Sequence, residues 1–540
     1  MAPRTCVTPD GRFKVGIHDP GFRVENLREN TFPAELGKLP DGTPVENHVN
    51  FPASDVTADR TDRIYEVANP FPFRGTTFIN SAWADGHAGR PETVRVPPKP
   101  ACSLRENLSK GRKDESVLRE YRQIYDLLPR PMMLALAQAS TDPAELVALA
   151  RKSCDFVFED DGVTPAGLSF TQKDNGTKVP VVHDHDLYDI LGNNPGLPDS
   201  YKQAMVLRPG IQGNSEIIGE AVDGTHVFEY LRRNSYIPWG HYAANMANDR
   251  IRYRTRDLTE KDMAGIRHLY YQRIYVRLAE QLDISLPAKG RALAVDELEN
   301  LRQTIVRRIK AATPGTLTFT SSLWGWNFGF GFAQSGHRLH ASHQMIHQQN
   351  AMIPGFVADQ DGEAYDCFSC GDLVADFIKE FKQVHGKDFF PAYLNAIKTN
   401  RRTDGRADGP DSLTVHEDEN VILFAPKAQV SEWELQLMTK QPCPHILAAD
   451  TATRASLDRA MLIATQALET LGAQMITSVE FSGRFTAEDT GQHLVYSFIP
   501  RLPYAPGTFS EAQLRWICGC YPEDLADACR RAIKTNKEVP

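Results

Sequence analysis

The sequence predicts an α+β protein with antiparallel sheet and packed helices, and three observations lead to this class. Short apolar stretches alternate with turn signals such as Asp223-Gly224, a pattern typical of antiparallel strands. Between groups of strands lie amphipathic helices, such as the one that carries Met263, Ile266 and Tyr270 on one face. The composition, 41% hydrophobic and 24% charged, is that of an ordinary globular protein.

The elements follow in order from local signals. The first 110 residues, rich in Pro, Gly and Asn, predict irregular loops and a few strands. Thr259, with Asp262 three residues later, has the spacing of a capping box and begins a long helix. The remaining expected elements are a helical stretch over 113–153 broken at Pro129 and Pro131, strands at 156–158, 166–170, 179–182, 217–222 and 227–231, a helix over 295–311, strands at 316–320 and 324–332, strands at 421–424 and 434–438, a helix over 456–471, strands at 475–480 and 493–499, and a helix from 521.

Composition and charge narrow the class of protein. The 540 residues contain 60 Lys and Arg against 69 Asp and Glu, a net charge of −9 that argues against a basic nucleic-acid platform. Apolar stretches are too short to span a bilayer, and the start lacks a secretory segment, so we expect a cytoplasmic, soluble protein. Nine cysteines, thinly spread and odd in number, indicate reduced thiols.

The chain is expected to divide into three parts and a linker. Residues 1–215 form an N-terminal extension of loops, helices and strands, 216–400 a first half, and 420–540 a second half. Residues 401–419, polar and rich in turn formers, are the predicted linker. The two halves share a strand, strand, helix, strand order, which is a weak internal repeat of elements.

One segment concentrates chemistry-bearing side chains. Residues 334–349 read QSGHRLHASHQMIHQQ and follow an aromatic strand. Neutral imidazole is well suited to attack phosphorus near pH 7, and hydroxyl or amide groups can then stabilise the non-bridging oxygens. The segment therefore favours phosphoryl or nucleotidyl chemistry, with four candidate histidines at His337, His340, His343 and His347.

These sixteen residues resemble, without gaps, the template Asn-x-Gly-x-x-x-Gly-(Ala/Cys)-Ser-x-x-His-x-His-x-Gln of galactose-1-phosphate uridylyltransferase and its relatives. Those relatives belong to the histidine-triad superfamily and include diadenosine tetraphosphate phosphorylases. The positions that match the template are Gly336, Ala341, Ser342, His347 and Gln349, and those that differ are Gln334, His340 and Met345, which replace Asn, Gly and the first His.

The resemblance implies a fold of two histidine-triad-like halves and a reaction through a covalent nucleotidyl-histidine. His347 would be the nucleophile, and Ser342 and Gln349 would contact the phosphates. His340 and His343 are provisional phosphate contacts. The other expected substrate-binding residues are Gly336, Arg338, Gln334 and Asn327, with Arg232, Arg233 and Lys440 as further sources of positive charge for an anionic substrate.

No metal is predicted at this site and no cofactor is required. In uridylyltransferases the first His of the pair joins a Cys-x-x-Cys in holding structural zinc. Here Met345 takes that position, and the N-terminal part has no Cys-x-x-Cys. Cys367 and Cys370 form a lone Cys-x-x-Cys, which is more often a pair of half-buried thiols than a zinc site.

Several partners and reactions stay open at this point. The resemblance implies a nucleotide or nucleotide-sugar donor and inorganic phosphate or a sugar phosphate as acceptor, without nucleic acid or membrane, and it leaves a homodimer open. Attack of water on the same adduct would make a nucleotide hydrolase. The three template positions that differ leave open a nucleotide-binding regulatory protein without turnover, and the histidine cluster leaves open a metal-dependent enzyme.

Overall fold

The computed structural model combines helices with antiparallel sheets, which confirms the predicted α+β class. The structure describes residues 4–25, 34–47, 54–97, 100–109, 124–205 except 173, 175, 177 and 195, 215–220, 228–232, 258–329 except 288, 289 and 314, and 346–538 except 474, 488, 489 and 503–507.

The N-terminal residues form short strands, three of which make a sheet with one strand from the far end of the chain. Their sheet has the order β1-β6-β7-β23, where β23 is Arg515–Cys518 and runs parallel to β7. The elements are β1 Gly16–His18, β2 Phe22–Val24, β3 Glu35–Lys38, β4 Pro44–Glu46, β5 Val56–Ala58, β6 Ile64–Ala68, β7 Thr76–Asn80 and helix α1 Ser81–Asp85.

Residues 100–205 contain a small cluster of helices with its own apolar core. The expected break of the helical stretch at Pro129 and Pro131 is present, because residues 124–127 are helical, residues 128 and 129 are not, and a new helix begins at Arg130. Pro131 lies in the first turn of this new helix, where its missing N–H costs nothing. The elements are α2 Leu104–Ser109, α3 Arg130–Ala139, α4 Pro143–Ser153, β8 Phe156–Phe158, β9 Pro165–Leu168, β10 Phe170–Gln172, β11 Lys178–Pro180, α5 His185–Asn193 and α6 Asp199–Met205, followed by the hairpin of β12 Ser215–Glu220 and β13 Phe228–Arg232.

The remainder builds the main sheet and its two helical layers. Its elements are α7 Glu260–Gln281, α8 Val295–Ala311, β14 Phe319–Gly329, β15 Ile346–Pro354, β16 Phe356–Ala358, β17 Ala364–Asp366, α9 Cys370–His385, α10 Phe389–Lys398, β18 Thr414–Glu417, β19 Val421–Phe424, β20 Leu435–Thr439, α11 Thr451–Thr470, β21 Met475–Phe481, β22 Val495–Pro500, α12 Thr508–Gln513, the strand β23 and α13 Pro522–Glu538.

Seven antiparallel strands form the main sheet, in the order β15-β14-β21-β22-β20-β19-β18. The sheet takes strands from both sides of residues 401–419, and β18 itself lies within that range. The predicted division of the chain into two halves and a linker stays a prediction.

Each face of the sheet is covered by a different helical layer. On one face Trp324 and Trp326 of β14 share an apolar core with α7, α8 and α11. On the other face Ile422 and Phe424 of β19 share a core with α9 and α10. Because both faces are covered there, all four residues of β19 are buried.

Capping explains where the helices begin. Thr259 and Asp262 form the predicted capping box at the start of α7. Ser369 and Asp372 form a second one at the start of α9, which ends at Gly386 in the left-handed conformation. The predicted ranges of α8 and β19 coincide with the observed ones, whereas the two strands expected over 316–320 and 324–332 form the single strand β14 within the described residues. None of the described helices has the length and apolar character needed to cross a membrane.

The N-terminal residues are held to the main sheet by buried polar contacts. The Arg74 guanidinium donates to Glu434 Oε1 at 2.8 Å and to Ser497 Oγ at 3.1 Å. Thr77 Oγ1 donates to the Gln429 carbonyl oxygen at 2.8 Å. Because Glu434 is 0% exposed, its charge depends on Arg74 for compensation.

We expect Arg74→Ala to lower the free energy of unfolding by about 3–5 kcal/mol, because the substitution leaves the Glu434 carboxylate buried without its partner. Urea unfolding followed by circular dichroism measures the change. Arg401→Ala is the control, because Arg401 is exposed and its removal should cost less than about 0.5 kcal/mol. Equal urea midpoints for the two variants would contradict the stabilising role of the Arg74–Glu434 ion pair.

Candidate functional site

Residues 346–349, the part of the motif that the structure describes, lie on β15, which pairs with β14. Among the described strands, β15 is at one edge of the main sheet. In the antiparallel register Asn327 is opposite His347, and Gly325 is opposite Gln349. β14 also pairs with β21 on its other side, so it is held between two neighbours. The motif strand is thus fixed against a fully paired strand.

Alternation along β14 determines which face the site occupies. Trp324, Trp326 and Phe328 are buried in the core formed with α7 and α11. Successive residues of a strand point to opposite faces, so Gly325 and Asn327 belong to the other face. Positions 347 and 349, paired with them, lie on that same face.

A side-chain hydrogen bond fixes this register from the core side. The indole N–H of Trp324 donates to Gln348 Oε1 at 3.0 Å. The Trp324 ring also stacks on Tyr270, with ring centroids 4.6 Å apart. A slip of β15 by one residue would break the Trp324–Gln348 hydrogen bond and move position 347 to the core face.

The face opposite the tryptophans carries polar groups where β14 pairs with β15. Gln349 is exposed, and Asn327 Oδ1 is buried without a hydrogen-bond partner among the described residues. Gly325 lies between them without a side chain, and among the described residues a Cβ atom there would meet the Ser478 carbonyl oxygen, at 3.3 Å. A ligand lying over Gly325 could therefore contact Asn327 and Gln349 together.

The expected site residues fall into two groups. His347, Gln349 and Asn327 are brought together by the pairing of β14 and β15. The others lie outside the described residues, and their roles stay predictions: Gln334, Gly336, Arg338, His340, Ser342 and His343.

Lys440 does not contribute positive charge to this face. Its Nζ lies 2.7 Å from Glu417 Oε1 and donates to the Asp418 carbonyl oxygen. Both partners are next to β18, the strand at the edge of the sheet farthest from β15. Arg233 lies outside the described residues, and of Arg232 the structure gives the strand β13.

Two arginines that the sequence did not single out stabilise the strands on the face opposite the tryptophans. Arg74 donates to Ser497. Ser497 pairs with Val479, which pairs with Gly325, so all three residues belong to this face. Arg484 anchors the far ends of β14 and β15, as described below. Both side chains contact elements distant in the chain, so no local pattern identifies them.

Arg484 ties the two strands to α9. Its guanidinium donates to Thr320 Oγ1 at 2.8 Å and to the Pro354 carbonyl oxygen at 2.9 Å. It also forms an ion pair with Asp372, the capping residue of α9. One side chain thus holds the start of β14, the end of β15 and the first turn of a helix together.

Behind the tryptophans, the core contains a buried acid with no ion-pair partner among the described residues. Burial raises the pKa of Glu480 to about 7, and the hydroxyls of Tyr270 and Tyr496 donate to its two oxygens. Glu480 lies on the face that carries Trp324 and Trp326, so its contacts with the two tyrosines stabilise the core behind the site. Among the described residues no three His, Cys, Asp or Glu side chains are grouped to hold a metal ion.

Comparison with known proteins gives matches among solved structures. No family model matches the chain, and no curated protein matches it. An ADP-glucose phosphorylase from Arabidopsis thaliana matches with 15% identity over 44% of this chain and 64% of its own, at a TM-score of 0.31. This chain thus spans less than two thirds of that protein's length.

Two further structures are similar to this chain. A GalT-like protein from Arabidopsis thaliana matches with 13% identity over 59% of this chain and 83% of its own, at a TM-score of 0.34. A uridylyltransferase mutant matches with 16% identity over 45% of this chain and 73% of its own, at a TM-score of 0.32. The names of these two structures, GalT-like protein and uridylyltransferase, are those of the family that the motif at 334–349 resembles.

We expect Arg484→Gln to speed amide hydrogen exchange at the Thr320 and Pro354 ends of β14 and β15 by at least about tenfold, since several hydrogen bonds to a charged group are lost there. Hydrogen exchange measured by mass spectrometry tests this. Arg459→Gln is the control, because Arg459 is an exposed arginine paired with Glu260. Unchanged exchange at both strands in Arg484→Gln would contradict the anchoring role.

Proposed function

We propose that this protein is a nucleotidyltransferase or phosphorylase in which His347 carries a nucleoside monophosphate from a nucleotide donor to a phosphate acceptor. One observation carries the proposal: position 347 pairs with Asn327 on the face of the sheet opposite the tryptophans, and Gln349, two residues later, is exposed. A nucleophile at position 347 would share this face with polar groups that can hold a phosphoanhydride.

The reaction consists of two displacements at the α-phosphorus. In the first, an imidazole nitrogen of His347 forms a bond to phosphorus as the bond to the leaving phosphate or sugar phosphate breaks. In the second, an oxygen of the acceptor phosphate attacks and the phosphorus–nitrogen bond breaks. Two in-line steps give overall retention of configuration at phosphorus and ping-pong kinetics.

Each neighbouring group has a part in this scheme. Gln349 and Ser342 donate to the non-bridging oxygens as negative charge shifts towards them. Asn327 holds the substrate through its amide, and the bare backbone at Gly325 lets the phosphates approach the strand. The remaining contacts to the donor come from Gln334, Gly336, Arg338, His340 and His343.

The donor is a nucleotide or nucleotide sugar, and the acceptor is inorganic phosphate or a sugar phosphate. A cytoplasmic location fits the nine cysteines, all of which lie in the described residues and are unpaired. The reaction needs no second subunit in this scheme, and a homodimer is compatible with it.

Trapping the adduct tests the proposal. The protein is mixed with α-phosphate-labelled nucleotide sugars, dinucleoside polyphosphates and adenylyl sulfate, then denatured and assayed for acid-labile label on the chain. We expect label on the unaltered protein and none on His347→Ala, with turnover reduced at least about 10³-fold, or 4 kcal/mol.

His183→Ala is the matched control, because His183 is an exposed histidine paired with Asp155 in the N-terminal part, and it should be labelled normally. Label that persists in His347→Ala would overturn the role of this residue. Nucleotide binding without label in any variant would instead favour a regulatory protein without turnover.

We expect Asn327→Ala to slow formation of the adduct by about 10- to 100-fold, because a polar contact to the substrate of about 1–3 kcal/mol is lost. Rapid-quench labelling measures the rate. Asn300→Ala, which removes an exposed amide from α8, serves as the control. A rate equal to that of the control would exclude Asn327 from the site.

A further inference from the structure

A cavity lies away from β14 and β15, where the N-terminal segment meets the strand β23. Its volume is about 570 Å³, within the range of about 300–1,000 Å³ that is typical of small-molecule sites. Three tryptophans form much of its wall: Trp83, Trp433 and Trp516. We call it the tryptophan cavity. Its described lining contains no residue of the strand pair that carries His347.

The tryptophans are held in place by different means. The indole N–H of Trp516 donates to the Arg74 carbonyl oxygen at 2.8 Å. Trp433 is 7% exposed and has a φ of 63°, a left-handed conformation that is costly for a bulky residue. Trp83 is 60% exposed and lies at the open side of the cavity. The wall is therefore an ordered aromatic surface with an accessible entrance.

A single carboxylate faces this aromatic wall, and it has no ionic partner within the described residues. Glu432 accepts hydrogen bonds from the Gly519 backbone N–H and the Cys520 thiol. Two buried acids elsewhere differ from it: Glu434 pairs with Arg74, and Glu523 pairs with Lys427. Burial raises the pKa of Glu432 to about 7, which expresses the cost of its uncompensated charge.

We propose that the tryptophan cavity binds a small organic ammonium ion, whose cationic head lies between the Glu432 carboxylate and the indole rings. Aromatic faces attract cations, and ammonium groups are commonly recognised by cages of aromatic side chains. An anionic ligand at the indole rings would be repelled by Glu432, and Arg95, the cationic side chain of the described lining, is exposed. A neutral ligand would leave that carboxylate buried and unpaired. The site does not depend on the reaction assigned to His347.

Choline and its neutral carbon analogue 3,3-dimethyl-1-butanol test the proposal with the full-length protein. The two differ in charge and hardly in shape. Calorimetric titration at pH 8 should give saturable binding of choline that is at least tenfold tighter than binding of the alcohol. Equal affinity for both, or no binding of either, would overturn the proposal.

Glu432→Gln should weaken choline binding at least tenfold and leave binding of the alcohol unchanged, because the amide keeps the shape of the side chain and removes its charge. Glu92→Gln is the matched control, since Glu92 is an exposed acid beside the cavity residue Thr93, and it should bind choline normally. Circular dichroism establishes that both variants are folded. Unchanged choline binding in Glu432→Gln would refute the site.

A pH series gives a second readout that needs no variant. As the pH falls from 8 to 6, Glu432 takes up a proton, so choline affinity should decrease. The other titratable or charged groups around the cavity are His87, Arg95 and the thiols of Cys518 and Cys520. Because other ionisable groups line the cavity, the decrease must disappear in Glu432→Gln. A decrease of the same size in that variant would assign the effect to another group and contradict the proposal.

Discussion

The alternation of large aromatic and small or polar residues along β14 is the constraint on which the arrangement of the site depends. Trp324 and Trp326 must be buried against α7, and this requirement determines the face on which Asn327 lies. Because position 347 is paired with Asn327, it lies on the same face. The burial of the tryptophans on one face thus determines that position 347 lies on the other.

Much of the fold follows from signals that are local in the chain. The capping box at Thr259 and Asp262 gives the start of α7, and the apolar run Val421–Phe424 gives β19 at its observed bounds. What the sequence does not reveal is which strands pair. The partnership of β7 with β23 joins residues 76–80 to residues 515–518, and neither strand carries a pattern that specifies the other.

The site shows the same division between local and distant information. The order of residues in the motif predicts His347 and Gln349 as site residues, and strict alternation places Asn327 opposite the aromatic face. The sequence cannot supply the register that sets Asn327 against His347, because a shift by two residues would preserve the same alternation. A sequence-based search does not find Arg74 and Arg484 for a similar reason, since Glu434 is 360 positions from Arg74 and Pro354 is 130 positions from Arg484.

The parallel pairing of β7 with β23 has a consequence for biosynthesis. The N-terminal strand leaves the ribosome long before the strand that completes its sheet has been translated. During that interval its unpaired edge is exposed to other chains, a situation that promotes aggregation. A chaperone that covers the edge of β7 until translation ends would protect such a nascent chain. Removal of β23 would leave the same edge of β7 unpaired in the folded protein.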